Sequence, residues 1–89
     1  MTEAIYCFDT ATVRFAIYTE SGTRIVAEIQ EDPLRDLFGA RGGGESLVAA
    51  YARNAEQINE RALERYRNAG GKPVLLETGD FELTMLDAD

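Results

Sequence analysis

The stretch from Ser46 to Asn68 constrains this chain more than any other. Wound at about 100° per residue, Leu47, Tyr51, Ala55, Ile58, Ala62 and Tyr66 fall within one arc of about 100°. Arg53, Glu56, Glu60, Glu64 and Arg67 fall on the opposite side. The spacing predicts one long helix, capped by Ser46, with a single buried stripe. A helix of that length dominates a chain of 89 residues, and its stripe needs a second layer to cover it.

The covering layer is legible upstream. Val13 to Tyr18 alternates, with Val13, Phe15 and Ile17 on one face and Arg14, Ala16 and Tyr18 on the other; Arg24 to Ile29 alternates too. Thr19 to Thr23 between them reads as a turn in which Gly22 takes positive φ. Pairing Ile17 with Ile25 sets Phe15 against Ala27 and Val13 against Ile29, so six apolar residues share a face. On the other face Arg14 meets Glu28 and Tyr18 meets Arg24, both favourable pairs. A slip of one residue loses both sets. Ala4 to Phe8 is a third strand, with neither Lys nor Pro to blunt an edge.

Asp32-Pro33 reads as an N-cap followed by Pro at the first helical position. Leu34, Leu37 and Phe38 then give a helix of about two turns that Gly39 can close. Ala40 to Glu45 connects it to the long helix, which Gly70-Gly71 and Lys72-Pro73 end. Val74–Thr78 and Phe81–Leu86 are expected to form a second hairpin around a Gly79-Asp80 type II′ turn. Asp87-Ala88-Asp89 follows as a frayed acidic tail, so residues 82–89 are read as an extra edge strand and that tail. These elements predict a single α+β domain over residues 1–89. It is a small antiparallel sheet packed on one long helix, with a short second helix.

Composition narrows function more by exclusion than by assignment. Net charge is −7. Residues 1–45 hold 8 acids and 4 bases, residues 46–76 hold 3 and 5, and residues 77–89 hold 5 acids and no base. Such a balance disfavours direct nucleic-acid binding and suits solubility or a basic protein partner. No apolar run approaches the roughly 20 residues of a membrane span, and the N-terminus lacks the pattern of a signal peptide. The cytoplasm is therefore the expected compartment, with no membrane association.

Groups that could carry chemistry are few. The chain has no His and one Cys. No internal disulfide can form, a zinc site would need Cys7 with carboxylates, and Ser–His or Cys–His pairs cannot be built. Cys7, between Tyr6 and Phe8, is expected to behave as a small hydrophobe in or near the core. Arg41-Gly42-Gly43-Gly44-Glu45-Ser46 precedes a helix and could cradle an anion. However, Glu45 stands where a phosphate loop carries Lys, which favours a plain connector. Glu77, Asp80 and Glu82 could be read as paired carboxylates, but Asp80 as a turn residue with solvated Glu77 and Glu82 is the simpler account. Tyr51 and Tyr66 belong to the core stripe, with hydroxyls reaching its edge. The residues imply no enzyme, cofactor or metal.

The order of these features resembles a family of small bacterial proteins catalogued as domain of unknown function 1488. The matching pieces are Val13-Arg14-Phe15, the Gly22 hairpin with Ile29 at its exit, and Leu34 to Phe38. They continue through Leu47, Ala49-Ala50-Tyr51, Asn54, Ile58, Ala62 and Tyr66 to Leu76 and Asp80-Phe81, spanning residues 4–81. The chain departs from the family in its tail, Glu82 to Asp89. The resemblance implies a curved antiparallel sheet on one long helix, and it brings no catalytic or binding residues to carry over.

The functional expectation is a small acidic, non-enzymatic protein-interaction module. The alternative is an inhibitor from a phage or mobile element, a nucleic-acid mimic or an anti-CRISPR-like protein, that binds a basic host protein. Under either reading the acids form two clusters. Glu28, Glu31 and Asp36, with Asp32, lie around the hairpin exit and first helix; Glu77, Glu82 and Asp87, with Asp80 and Asp89, lie near the C-terminal end. Asp32 is expected to cap and Asp36 to balance Arg35. A homodimer is also expected, made through the unblunted first strand or through leftover apolar surface beside the long helix.

Overall fold

The computed structural model describes residues 4–70 and 73–81. Strands β2 (Thr12–Tyr18) and β3 (Arg24–Gln30) form the hairpin at its centre. Their register is the one set by side-chain alternation: Val13 lies opposite Ile29, Arg14 opposite Glu28, Phe15 opposite Ala27, Ile17 opposite Ile25 and Tyr18 opposite Arg24. Gly22 turns the corner at φ 88°, and its N–H donates to the Thr19 carbonyl at 2.9 Å. Strand β1 (Ala4–Cys7) adds antiparallel to β2, with Tyr6 opposite Val13. With β4 (Val74–Leu76), the sheet order is β1-β2-β3-β4.

β4 (Val74–Leu76) corrects the expected antiparallel sheet. It pairs parallel with β3, Val74 opposite Ala27 and Leu76 opposite Ile29, so the sheet is mixed. A parallel neighbour needs a long crossover, and the helices between β3 and β4 supply it. The expected hairpin around Gly79-Asp80 is absent too, because residues 78–81 form a helical turn instead. The Asp80 carboxylate accepts the Glu77 N–H at 2.8 Å, one half of a capping box at the start of that turn, while the Asp80 N–H donates to the Glu77 carbonyl at 3.0 Å. Phe81 is buried and meets Phe38 edge-on with ring centroids 5.3 Å apart. The rest of the expected strand, 82–86, and the tail lie outside the described residues.

Three helices run between β3 and β4. α1 (Glu31–Asp36) starts one residue before the expected cap, with Gln30 at the N-cap and no side-chain bond there. Asp32 therefore does not cap. Pro33 falls at the third helical position, still in the first turn, where the missing N–H is not needed. Gly39 closes the segment at φ 78°, as expected.

The long helix is two helices, α2 (Gly44–Arg53) and α3 (Ala55–Asn68). Asn54 breaks it at φ −122°, ψ 22°. Its side-chain amide donates to the Ala50 carbonyl at 2.9 Å, and its own N–H turns to Tyr51 O at 3.0 Å. Side-chain bonding of this kind competes with the helical ladder. Ser46 is not the cap either: Gly43 holds that position, and the Ser46 hydroxyl accepts the Arg41 N–H at 3.0 Å.

The break leaves the stripe intact. Leu47, Tyr51, Ile58 and Ala62 are buried, Ala55 and Tyr66 half-buried, and Arg53, Glu56, Glu60, Glu64 and Arg67 exposed. The buried residues form one core with Val13, Phe15, Ile17, Ile25, Ala27 and Ile29 of the sheet. Ile58→Ala is therefore expected to cost roughly 2–5 kcal/mol and Glu60→Ala no more than about 0.5 kcal/mol. Thermal melts that show equal losses would refute this helix orientation.

Tyr51 is the largest fully buried side chain. Its ring stacks on Phe15 at 4.6 Å, and its hydroxyl donates to Asn59 Oδ1 at 2.5 Å. Burial pushes the hydroxyl up from 10.0 to about 12. Below about pH 10 the group is neutral in folded and unfolded chains alike. Above that it ionises first in the unfolded chain, so its contribution to stability falls as pH rises from about 10 to about 12. Urea melts across that window should show wild type losing stability faster than Tyr51→Phe; parallel losses would contradict it.

Candidate functional site

The helices cover one face of the sheet, and among the described residues no helix covers the other. On the covered face Val13, Phe15, Ile17, Ile25, Ala27, Ile29, Val74 and Leu76 are buried. The opposite face is set by the same register. One row crosses all four strands as Ile5, Arg14, Glu28 and Leu75. Beside it lie Ala16 opposite Val26 and Tyr18 opposite Arg24. Ile5 is 60 % exposed, Tyr18 56 %, Val26 44 % and Leu75 40 %. Ile5, Arg14, Ala16, Arg24, Val26 and Glu28 line a shallow trough of about 540 Å³ on this face.

A second groove runs along the outer edge of β1, lined by Ile5, Tyr6, Gly44, Glu45, Val48 and Ala49. It exists because α2 approaches β1 closely. A Cβ on Gly44 would lie 2.9 Å from Tyr6 Cδ2, so only glycine lets the helix start there without a shift. The Tyr6 hydroxyl donates to Glu31 Oε2 at 2.5 Å. That bond, with burial and the Glu31 charge, holds the phenol above its ordinary value.

The acids expected to meet a partner divide into three groups. Glu28 is half-buried and already engaged: its Oε1 accepts from Thr12 at 2.5 Å and Thr10 at 3.3 Å, and its Oε2 lies 3.5 Å from Arg14 Nη2. Glu31 is engaged too, by Tyr6 and by Arg35 at 3.1 Å. Arg35 thus serves Glu31 where Asp36 was the expected counter-ion. Asp32, Asp36 and Glu77 are exposed. Glu82 and Asp87 lie outside the described residues.

Other sequence-level candidates resolve into structural roles. Asp80 holds the C-terminal turn to α3: its carboxylate accepts from Arg65 at 2.5 Å, and its carbonyl accepts from Arg61 Nε at 2.6 Å. Cys7, expected in or near the core, sits half-buried at the end of β1 opposite Thr12, on the sheet face away from the core. In the Gly-rich connector the Arg41 N–H is spent on Ser46, and Glu45 occupies the first turn of α2. Among the described residues no group of three or more His, Cys, Asp or Glu could hold a metal ion, and no helix is long and apolar enough to cross a membrane.

Sequence reasoning passed over the bare face. The signal was present in Val26, which takes an outward position between Ile25 and Ala27, and in Leu75, which does the same between Val74 and Leu76. Comparison with family models, curated proteins and solved structures finds no match to this chain.

The division among the acids is testable. Glu28→Ala removes an acceptor from the buried Thr12 hydroxyl and is expected to cost about 1–3 kcal/mol. Asp36→Ala, at the surface, should stay within about 0.5 kcal/mol. Chemical denaturation of both variants checks the contrast; a neutral Glu28→Ala would return that carboxylate to the surface acids.

Proposed function

We propose that this chain is a non-enzymatic protein-interaction module that binds its partner on the helix-free face of the sheet. The observation that carries this reading is the set of large apolar side chains left open there, Ile5, Tyr18, Val26 and Leu75, spread over all four strands. Scattered apolar residues are ordinary on a surface; several gathered on one flat face with polar neighbours have the character of a protein contact. Arg14 and Glu28 cross the middle of the face as an ion pair, giving a polar interruption that fixes orientation more than it adds affinity. The partner that fits is a protein with an apolar patch rimmed by polar groups.

The second reading, an acidic inhibitor of a basic host protein, draws support from the exposure of Asp32, Asp36 and Glu77 on a chain of net charge −7. It loses ground where acids spend their charge internally, as Glu28 does on Arg14 and Glu31 on Arg35. The resemblance to domain of unknown function 1488 is compatible with both.

Photo-crosslinking separates them. A crosslinker at Val26 should yield protein adducts that disappear on Leu75→Glu and persist at high salt. One at Asp36 should yield none. Adducts from Asp36 alone, lost as salt screens surface charge, would move the function to the acids.

A further inference from the structure

The sheet ends at β1, whose outer edge has no strand beside it among the described residues. Edge strands in soluble proteins normally carry Lys, Pro or an inward charge that blocks further pairing. β1 is Ala4-Ile5-Tyr6-Cys7 and carries none of these. Phe8, next along the chain, is 87 % exposed. The groove beside this edge is apolar apart from Glu45. α2 also has a second apolar strip outside the one that packs on the sheet: Val48 is half-buried, and Ala49 and Ala52 are exposed.

We propose that this edge is a homodimer interface, in which β1 pairs antiparallel with the partner's β1 and α2 packs antiparallel on the partner's α2. A twofold axis perpendicular to the sheet achieves both at once. It joins two four-stranded sheets into one and keeps both helix layers on the same side. Such an axis also consumes the edge it uses, so the assembly closes at two.

Charge selects a second copy over a foreign strand. Antiparallel packing centred near Ala49 sets residues one helical turn before the axis against residues one turn after it. Glu45 then faces the partner's Arg53, and Arg53 faces the partner's Glu45. Both side chains are exposed, and neither has an ion-pair partner among the described residues. A chain of net charge −7 repels its own copy over most of its surface. At this edge the symmetry balances the charge, and the alanines at 49 and 52 allow the helices to approach.

The test is sedimentation of the full chain at neutral pH and high micromolar concentration, with circular dichroism as the control for folding. The expected mass is twice the 9.8 kDa of one chain. Ile5→Lys at the strand edge and Ala49→Glu at the helix contact should each give folded monomer. Glu45→Arg and Arg53→Glu each turn both symmetry-related pairs into like-charge contacts and should each weaken the dimer by at least about tenfold, and the double reversal should restore it. Wild type sedimenting only as monomer overturns the proposal. So does a dimer indifferent to Ile5→Lys and Ala49→Glu, or a double reversal no tighter than the singles. The outcome is independent of the partner reading, which turns on adducts from Val26.

Discussion

Tyr51 is the point through which the layers of this protein are joined. It belongs to α2, stacks on Phe15 of β2 and bonds Asn59 of α3. One side chain therefore ties the sheet to both halves of a helix that Asn54 interrupts. Burying an aromatic ring supplies area, but its hydroxyl must be satisfied in the process. Asn59 lies across the break and supplies the acceptor, so the stack and the relative placement of α2 and α3 depend on the same residue. Ile58 and Ala62 complete the floor that Val13, Phe15 and Ala27 cover.

What the sequence made legible was what depends on the alternation of side chains. The β2–β3 register followed from six apolar residues and two polar pairs that only one alignment satisfies. The inward stripe of the helices followed from spacing alone. What stayed hidden depends on competition at single residues or on long-range topology. Asn54 breaks the helix by bonding Ala50 O, a local choice that periodicity does not register. The Gly79-Asp80 pair matches a hairpin turn, but the Asp80 carboxylate reaches back to Glu77 and the chain coils instead. The direction of β4 was set by the crossover of three helices, and no property of Val-Leu-Leu encodes it.

The candidate site shows the same division. Charge count drew attention to the acids, yet Glu28 and Glu31 turn out to be internal acceptors for Thr12, Arg14, Tyr6 and Arg35. The open surface mixes Ile5, Tyr18, Val26 and Leu75 with Arg14, Arg24 and Glu28, and its apolar members were masked by strand propensity, because Val26 and Leu75 look like ordinary strand residues until the sheet has a covered side and an open one. Mean charge describes a surface poorly when ion pairs remove the acids from it.

The parallel pairing of β3 with β4 has a kinetic consequence. The β2–β3 hairpin closes over a short turn, so its loop-closure entropy is small and its contacts can form early. β4 can dock only after the intervening helices have crossed the sheet, and it contributes just three residues when it arrives. It is thus the last strand to be gained and the first to be lost in a local opening. Whenever it detaches, β3 becomes the edge of a three-stranded sheet, and the backbone donors and acceptors that β4 had paired are open to another strand.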